Sequence, residues 1–178
     1  NEMINRRVIA TAQTKKARLT IIEAILNHKD DEIFYAGTNQ EATIYRALFG
    51  KSEIGSFDED DNIGEITALM NKYVTQCCDK KVSLFELINK LMLPPYGMRL
   101  GVIPIYFAKV LSERNEDLIV YFADLEVQIT PEIMVNMCEK SEEYSLFVSK
   151  ADIEKEEYIN SLKALFDVNN GRALTENR

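Results

Sequence analysis

The chain has 178 residues, of which 46% are hydrophobic and 28% are charged, and its formal net charge at pH 7 is −8. This length and composition are those of a globular protein with one domain, or with two small ones sharing a core. The acidic balance weakens the case for non-specific nucleic-acid binding, because counterion release requires clustered cations. The sequence contains no apolar run of transmembrane length. We therefore expect no membrane partner, and three cysteines without a disulfide pattern fit a reducing cytoplasm best.

The first strong pattern follows Thr11, where apolar residues recur with the i, i+4, i+7, i+8 spacing of an amphipathic helix. Lys15, Lys16 and Arg18 lie early in this helix, where they oppose the helix dipole. We interpret the three cations as part of a solvated face. A contact with phosphate or with a neighbouring domain is the alternative.

The next segments predict a short extended piece at residues 32–35 and then a helix. Thr38 and Glu41 have the spacing of a capping box, and Gly50 is a natural residue at which this helix ends. The acidic run at residues 58–61 precedes another helix and lacks the spacing of an EF-hand loop. It is typical of carboxylates at a helix N-terminus, so we predict no calcium site.

The stretch at residues 93–104 joins two apolar helical patterns and is expected to form a rigid elbow. The preceding helix starts with a capping box at residues 83–86, and the following helix is predicted over residues 102–113. Proline fixes φ and has no backbone N–H to donate, whereas glycine tolerates positive φ. A stretch rich in both residues is therefore restricted to few conformations. The residues that define this structural elbow are Pro94, Pro95, Tyr96, Gly97, Gly101 and Pro104.

The pattern then changes to the period of two that is typical of strands. Residues 118–122 and 125–129 predict a hairpin around Ala123 and Asp124, and residues 144–148 predict a third strand. Between them, Thr130 and Pro131 predict the start of a helix. A last amphipathic helix is predicted over residues 152–166, with Tyr158, Leu162, Leu165 and Phe166 on one face.

Two helices, an elbow and a hairpin form the order of a winged-helix module. Residues 102–113 would then be the recognition helix, which in most such modules reads DNA through cations. The candidate contacts here are Lys109, Arg114 and, in the elbow, Arg99, while the hairpin contributes only acidic residues. We therefore favour a winged-helix-like module that packs against protein over one that binds DNA.

The sequence contains no motif of nucleotide binding, metal binding or nucleophilic catalysis. The Gly-Lys-Ser sequence at residues 50–52 lacks the first glycine of a P-loop and lies at the end of a predicted helix, so it is not a nucleotide site. The single histidine, His28, has no cysteine nearby in sequence, so no zinc set can be assembled from it. Cys77, Cys78 and Cys138 form no disulfide framework and no zinc pattern. The first two lie beside lysines that lower thiol pKa values, so a thiol-dependent enzyme is an alternative, although buried or inert thiols are favoured.

Five segments resemble a region of very large bacterial P-loop ATP-binding proteins linked to phage defence, BREX-like ones among them. They are residues 1–6, the helix with the cations of residues 15–18, residues 41–46, Pro-Pro-Tyr-Gly at 94–97 and Gly-Val-Ile-Pro at 101–104. The resemblance covers most of residues 1–166. It implies a C-terminal, non-ATPase region, because the ATPase motifs of such proteins do not occur here. It carries no catalytic residues.

The sequence thus predicts a mainly α-helical α+β fold. Residues 1–81 form a helical part that packs on a winged-helix-like part at residues 82–166 with a small antiparallel hairpin, and residues 167–178 form a flexible or truncated tail. The start at Asn1, without Met and within a pattern, indicates a piece of a longer protein. We expect a non-catalytic scaffold or interaction module without a cofactor, which binds other domains of its parent or partner proteins. A DNA-binding winged helix is the alternative.

Overall fold

The computed structural model describes residues 11–49, 62–78, 80–114 and 117–149. This part of the chain contains seven helices and one four-stranded antiparallel sheet, which confirms the predicted mainly helical α+β class. The elements are α1 (Ala12–Leu26), α2 (Asp30–Phe34), α3 (Gln40–Phe49), α4 (Asn62–Gln76), β1 (Val82–Ser83), α5 (Phe85–Met92), α6 (Ile103–Ser112), β2 (Asp117–Phe122), β3 (Leu125–Val127), α7 (Pro131–Glu139) and β4 (Tyr144–Ser149). The predicted helix at 152–166, the tail at 167–178 and the acidic run at 58–61 lie outside the described residues.

Helix α6 is the interior helix around which the other helices pack. Its sequence is apolar on every side except at Lys109 and Ser112, and a helix that is apolar all round is buried. It contacts α1, α4 and α7. Pro104 fits in the first turn, where amides have no intrahelical partner to lose. The predicted recognition helix is therefore part of the core.

Helices α2 and α3 differ from the sequence prediction in two details. Residues 30–34 form a helix and not an extended piece. Helix α3 is capped by Asn39, whose Oδ1 accepts from the amide of Ala42 at 2.9 Å, and not by the predicted Thr38. A five-residue helix is too short to be stable alone, so α2 depends on tertiary contacts.

Those contacts come from two neighbouring side chains of α3. The Arg46 guanidinium donates from Nη1 to the carbonyl oxygens of Phe34 at 2.8 Å, Tyr35 at 3.3 Å and Gly37 at 2.6 Å. These carbonyl groups lie at and just beyond the end of α2, where a helix leaves its acceptors unsatisfied. The ring of Tyr45 packs against that of Phe34, with centroids 5.2 Å apart.

The sheet has the strand order β1-β4-β2-β3, with antiparallel pairing throughout. The predicted hairpin is confirmed as β2 and β3. Its two turn residues, Ala123 and Asp124, have φ values of 45° and 69°, the signs that a type I′ turn requires. The predicted Thr130 cap of α7 is also confirmed, since its Oγ1 accepts from the amide of Ile133 at 3.2 Å.

The winged-helix-like arrangement itself is not confirmed. Strand β1 pairs with β4, which follows α7, and not with the β2–β3 hairpin. The candidate recognition helix, α6, is interior, whereas a recognition helix must present side chains to a groove. A single cluster of buried apolar residues also extends across both predicted parts of the chain.

Replacing Arg46 with Met should lower the free energy of unfolding by about 2 kcal/mol or more, since three carbonyl groups lose a charged donor. Arg46→Lys should recover only part of this loss, because an ammonium group cannot reproduce the planar guanidinium. Urea unfolding monitored by circular dichroism measures both changes. Lys16→Met, at an exposed position of α1, is the control and should stay within about 0.5 kcal/mol. An Arg46→Met variant as stable as the control would contradict this role of Arg46.

Candidate functional site

Three of the six candidate cations for a DNA or partner contact are engaged within the fold. Lys109 of α6 donates from Nζ to Oδ2 of Asp30 at 2.9 Å. Arg18 of α1, which is buried and not solvated as predicted, forms an ion pair with Glu139 of α7 at 3.3 Å. Arg114 donates from Nη1 to Oδ1 of Asn71 at 3.2 Å. These contacts connect elements of the fold and do not form a basic patch.

Asp30 is one of four buried polar or charged side chains among the described residues. Asp30 is 4% exposed, and its Oδ2 also accepts from the hydroxyl of Tyr45 at 2.6 Å. Burial alone would raise the pKa of this carboxyl group. The hydrogen bonds from Lys109 and Tyr45 and the charge of Lys109 outweigh that effect and hold the pKa below the ordinary value of 3.8. The arrangement is that of a structural ion pair.

The other three cations, Lys15, Lys16 and Arg99, are exposed. The first two lie on α1 as predicted, while Arg99 lies in the elbow. They are the described members of the predicted contact set whose side chains face solvent.

The elbow between α5 and α6 is held by backbone hydrogen bonds. The amide of Gly97 donates to the carbonyl of Leu93 at 3.0 Å, and that of Met98 donates to Leu91 at 2.8 Å. Gly97 has a φ of 58°, which a glycine adopts without strain. Residues of the elbow that pack against the core are Tyr96, Met98 and Leu100. Gly101 and Pro104 are buried, so the C-terminal end of the predicted elbow is anchored in the core.

The outward side of α5 and the start of the elbow carry exposed apolar groups. Phe85 is 43% exposed and Leu93 is 52% exposed, and Pro94 and Pro95 follow at exposed positions. Phe85, Asn89 and Leu93 are spaced by four residues, so they share one side of the helix. We call Phe85, Asn89, Leu93, Pro94 and Pro95 the α5–elbow surface. The opposite side of α5 is buried, as the sequence predicts, through Leu84, Leu87, Ile88 and Leu91.

A cavity of about 180 Å³ lies between α4 and α5. Small-molecule sites typically have about 300–1,000 Å³, so this cavity is small for a cofactor. The hydroxyl of Tyr73 is already engaged, since it donates to the carbonyl of Val82 at 2.9 Å. The cavity is lined by Leu69, Lys72, Tyr73, Gln76, Glu86, Leu87 and Lys90.

The buried cysteines do not provide a nucleophile at neutral pH. The thiol of Cys77 donates to the carbonyl of Tyr73 at 3.3 Å, and burial raises its pKa to about 11. Burial also raises the pKa of Cys138. Reactive cysteines need the thiolate form and access to solvent, and these two residues lack both. Cys78 is half-buried.

Within the described ranges, no three His, Cys, Asp or Glu side chains group as metal ligands would. Among the helices of the same residues, none has the length and apolar character that crossing a bilayer requires. Comparison with family models, curated proteins and solved structures gives no significant match for this chain. The resemblance to BREX-like ATP-binding proteins therefore stays a prediction.

The thiols should differ in their reaction with iodoacetamide at pH 7.5. We expect Cys77 and Cys138 to be alkylated only after unfolding, because both are buried and protonated. Mass spectrometry of peptides after a short labelling time measures the modification at each position. Cys78→Ser should remove whatever labelling the folded protein shows. Rapid alkylation of Cys77 in the folded Cys78→Ser variant would contradict its inert role and support the thiol-dependent enzyme.

Proposed function

We propose that this chain is a non-catalytic interaction module of a larger bacterial ATP-binding protein that acts in phage defence. Its role is to position the ATPase part against other domains or partner proteins, and the docking site is the α5–elbow surface. The observation that carries this proposal is the exposure of Phe85 and Leu93 beside two exposed prolines. The opposite side of α5 is packed into the core.

The chemistry of the surface supports docking to protein. Aromatic residues, Phe among them, are enriched at protein interfaces and charged residues are depleted at their centres, whereas the energy of DNA binding comes mainly from cations. The prolines and the backbone hydrogen bonds of the elbow restrict its conformation before binding. A preorganised surface loses less conformational entropy on association, so a small apolar area contributes more to affinity.

The resemblance supports the same location. The Pro-Pro-Tyr-Gly and Gly-Val-Ile-Pro stretches that carry it occupy the two ends of the elbow, at residues 94–97 and 101–104. The first contributes the exposed prolines and the second leads into the interior helix α6. The segment that resembles the large ATP-binding proteins is thus the segment that presents this surface.

The DNA-binding alternative has less support from the contacts. A recognition helix must present side chains to a groove, and α6 is buried on nearly every side. Its cation, Lys109, is paired with Asp30. The burial of α6 and the pairing of Lys109 therefore support the proposal that residues 82–149 pack against protein and do not bind DNA.

We expect the variant Phe85→Ser/Leu93→Ser, made in the full-length parent protein, to weaken phage restriction about tenfold. Truncating two exposed apolar contacts of the docking site should cost about 1.4 kcal/mol of binding free energy, which weakens the affinity about tenfold and the restriction with it. The measurement is plaquing efficiency on cells that produce equal amounts of each variant. Ile33→Ser/Leu125→Ser is the matched control, because it removes two apolar side chains that are 47% and 71% exposed elsewhere.

The proposal fails if the Phe85→Ser/Leu93→Ser parent restricts phage normally, or if the control variant loses as much. Thermal unfolding must show that the variants are equally stable.

Fluorescence anisotropy with double-stranded DNA at about 50 and 200 mM salt tests the DNA-binding alternative, since phosphate contacts weaken strongly over this range. Binding that disappears at the higher salt and in Lys15→Glu/Arg99→Glu would favour DNA over protein docking.

A further inference from the structure

The cleft between α4 and α5 borders the α5–elbow surface. Its wall on α5 is formed by Glu86, Leu87 and Lys90. In the sequence, Glu86 and Lys90 directly follow Phe85 and Asn89 of that surface. Successive residues of a helix are turned by about 100° around its axis, so the two pairs lie on adjoining sides of α5. A partner that covers the α5–elbow surface therefore also reaches the edge of the cleft.

The lining of the cleft has an excess of positive charge. Lys72 of α4 and Lys90 of α5 line its two walls, and both are exposed. Among the ion pairs and side-chain hydrogen bonds of the described residues, none includes Lys72, Lys90 or Glu86. Two lysines and one glutamate give the lining a net charge of +1, in a chain whose net charge is −8. Because the two ammonium groups repel each other, a singly charged anion between them would be attracted to both.

The floor of the cleft is apolar and neutral. It includes Leu69, Leu87 and Tyr73, of which Tyr73 is buried and donates from its hydroxyl to the carbonyl of Val82 at 2.9 Å. Burial raises the pKa of Tyr73, so this hydroxyl stays uncharged. The volume of about 180 Å³ is below the roughly 300–1,000 Å³ of typical small-molecule sites. The cleft thus has the size for one side chain, with an apolar floor for its stem and cations for its end.

We propose that this cleft binds the carboxylate of an acidic side chain on the protein that docks at the α5–elbow surface. The carboxylate lies between the ammonium groups of Lys72 and Lys90 and neutralises the excess charge of the lining. The partner is then a protein segment that carries an aspartate or glutamate beside the apolar residues that cover Phe85 and Leu93. This inference rests on the proposed function, because the cleft is assigned to the same docking site.

A titration of the isotope-labelled full chain, followed by the NMR shifts of its backbone amides, tests the cleft without the partner. The probe is N-acetylglutamate amide, and N-acetylglutamine amide at the same ionic strength is its neutral control. The acid should cause saturable shifts around the cleft with a dissociation constant in the millimolar range, and the neutral amide should not. Lys72→Gln/Lys90→Gln should weaken this binding about tenfold, since two exposed ion pairs are lost. Glu86→Gln should strengthen it, because a like charge is removed.

Lys15→Gln/Lys16→Gln is the matched control, because it removes the same charge at exposed positions of α1 and should leave the binding unchanged. Circular dichroism and the unfolding midpoint show that each variant is folded. The proposal is overturned if the acid and the neutral amide cause the same shifts. It is also overturned if Lys72→Gln/Lys90→Gln binds the acid as the unchanged chain does.

Phage restriction by the parent protein separates this inference from the proposed function. Lys72→Gln/Lys90→Gln in the parent should reduce restriction, as Phe85→Ser/Leu93→Ser should. Normal restriction by the lysine variant, with restriction lost in Phe85→Ser/Leu93→Ser, would overturn the inference and leave the proposed function intact. If the probe binds but neither variant affects restriction, the cleft takes a free small carboxylate, and the docked partner is the wrong source.

Discussion

The ion pair between Asp30 and Lys109 is the constraint on which the helical part depends. Removing a carboxylate from water costs several kcal/mol unless a cation and hydrogen-bond donors replace the lost solvation. Lys109 and the hydroxyl of Tyr45 provide that replacement at 2.9 and 2.6 Å. The pair therefore fixes α2 and α3 against the interior helix α6. It also engages Lys109, one of the candidate contact residues, within the fold. The α5–elbow surface remains the docking site that we propose.

Local patterns in the sequence predicted most elements of the fold, because their causes are local. The Thr130 cap, the hairpin and the buried side of α5 follow from hydrogen-bonding side chains, turn residues and apolar spacing within a few positions. The prediction for α2 was wrong because this helix depends on Arg46 and on ring packing with α3. The pairing of β1 with β4 joins residues about sixty positions apart, which periodicity does not specify.

The roles of charged residues were harder to predict than the helices. Asp30 lies in a polar run that resembles a solvated helix end, and Arg18 lies among lysines that are exposed. Their partners, Lys109 and Glu139, are 79 and 121 positions away. The elbow, in contrast, was predicted because its prolines and glycines restrict the backbone wherever they occur. The sequence thus located the elbow, but neither the exposed Phe85 beside it nor the ion pairs that engage Arg18 and Lys109.

A double-mutant cycle with Asp30→Asn and Lys109→Met tests this account most directly. At pH 7 the two changes should couple by about 1–3 kcal/mol in the free energy of unfolding, as residues in contact do. The pKa of Asp30 is lowered in the folded state, so its contribution is present above the unfolded value near 3.8 and is lost as the pH falls through the lower folded value. The coupling should therefore disappear in acid. Additive effects at pH 7, within about 0.5 kcal/mol, would contradict the central role of the pair.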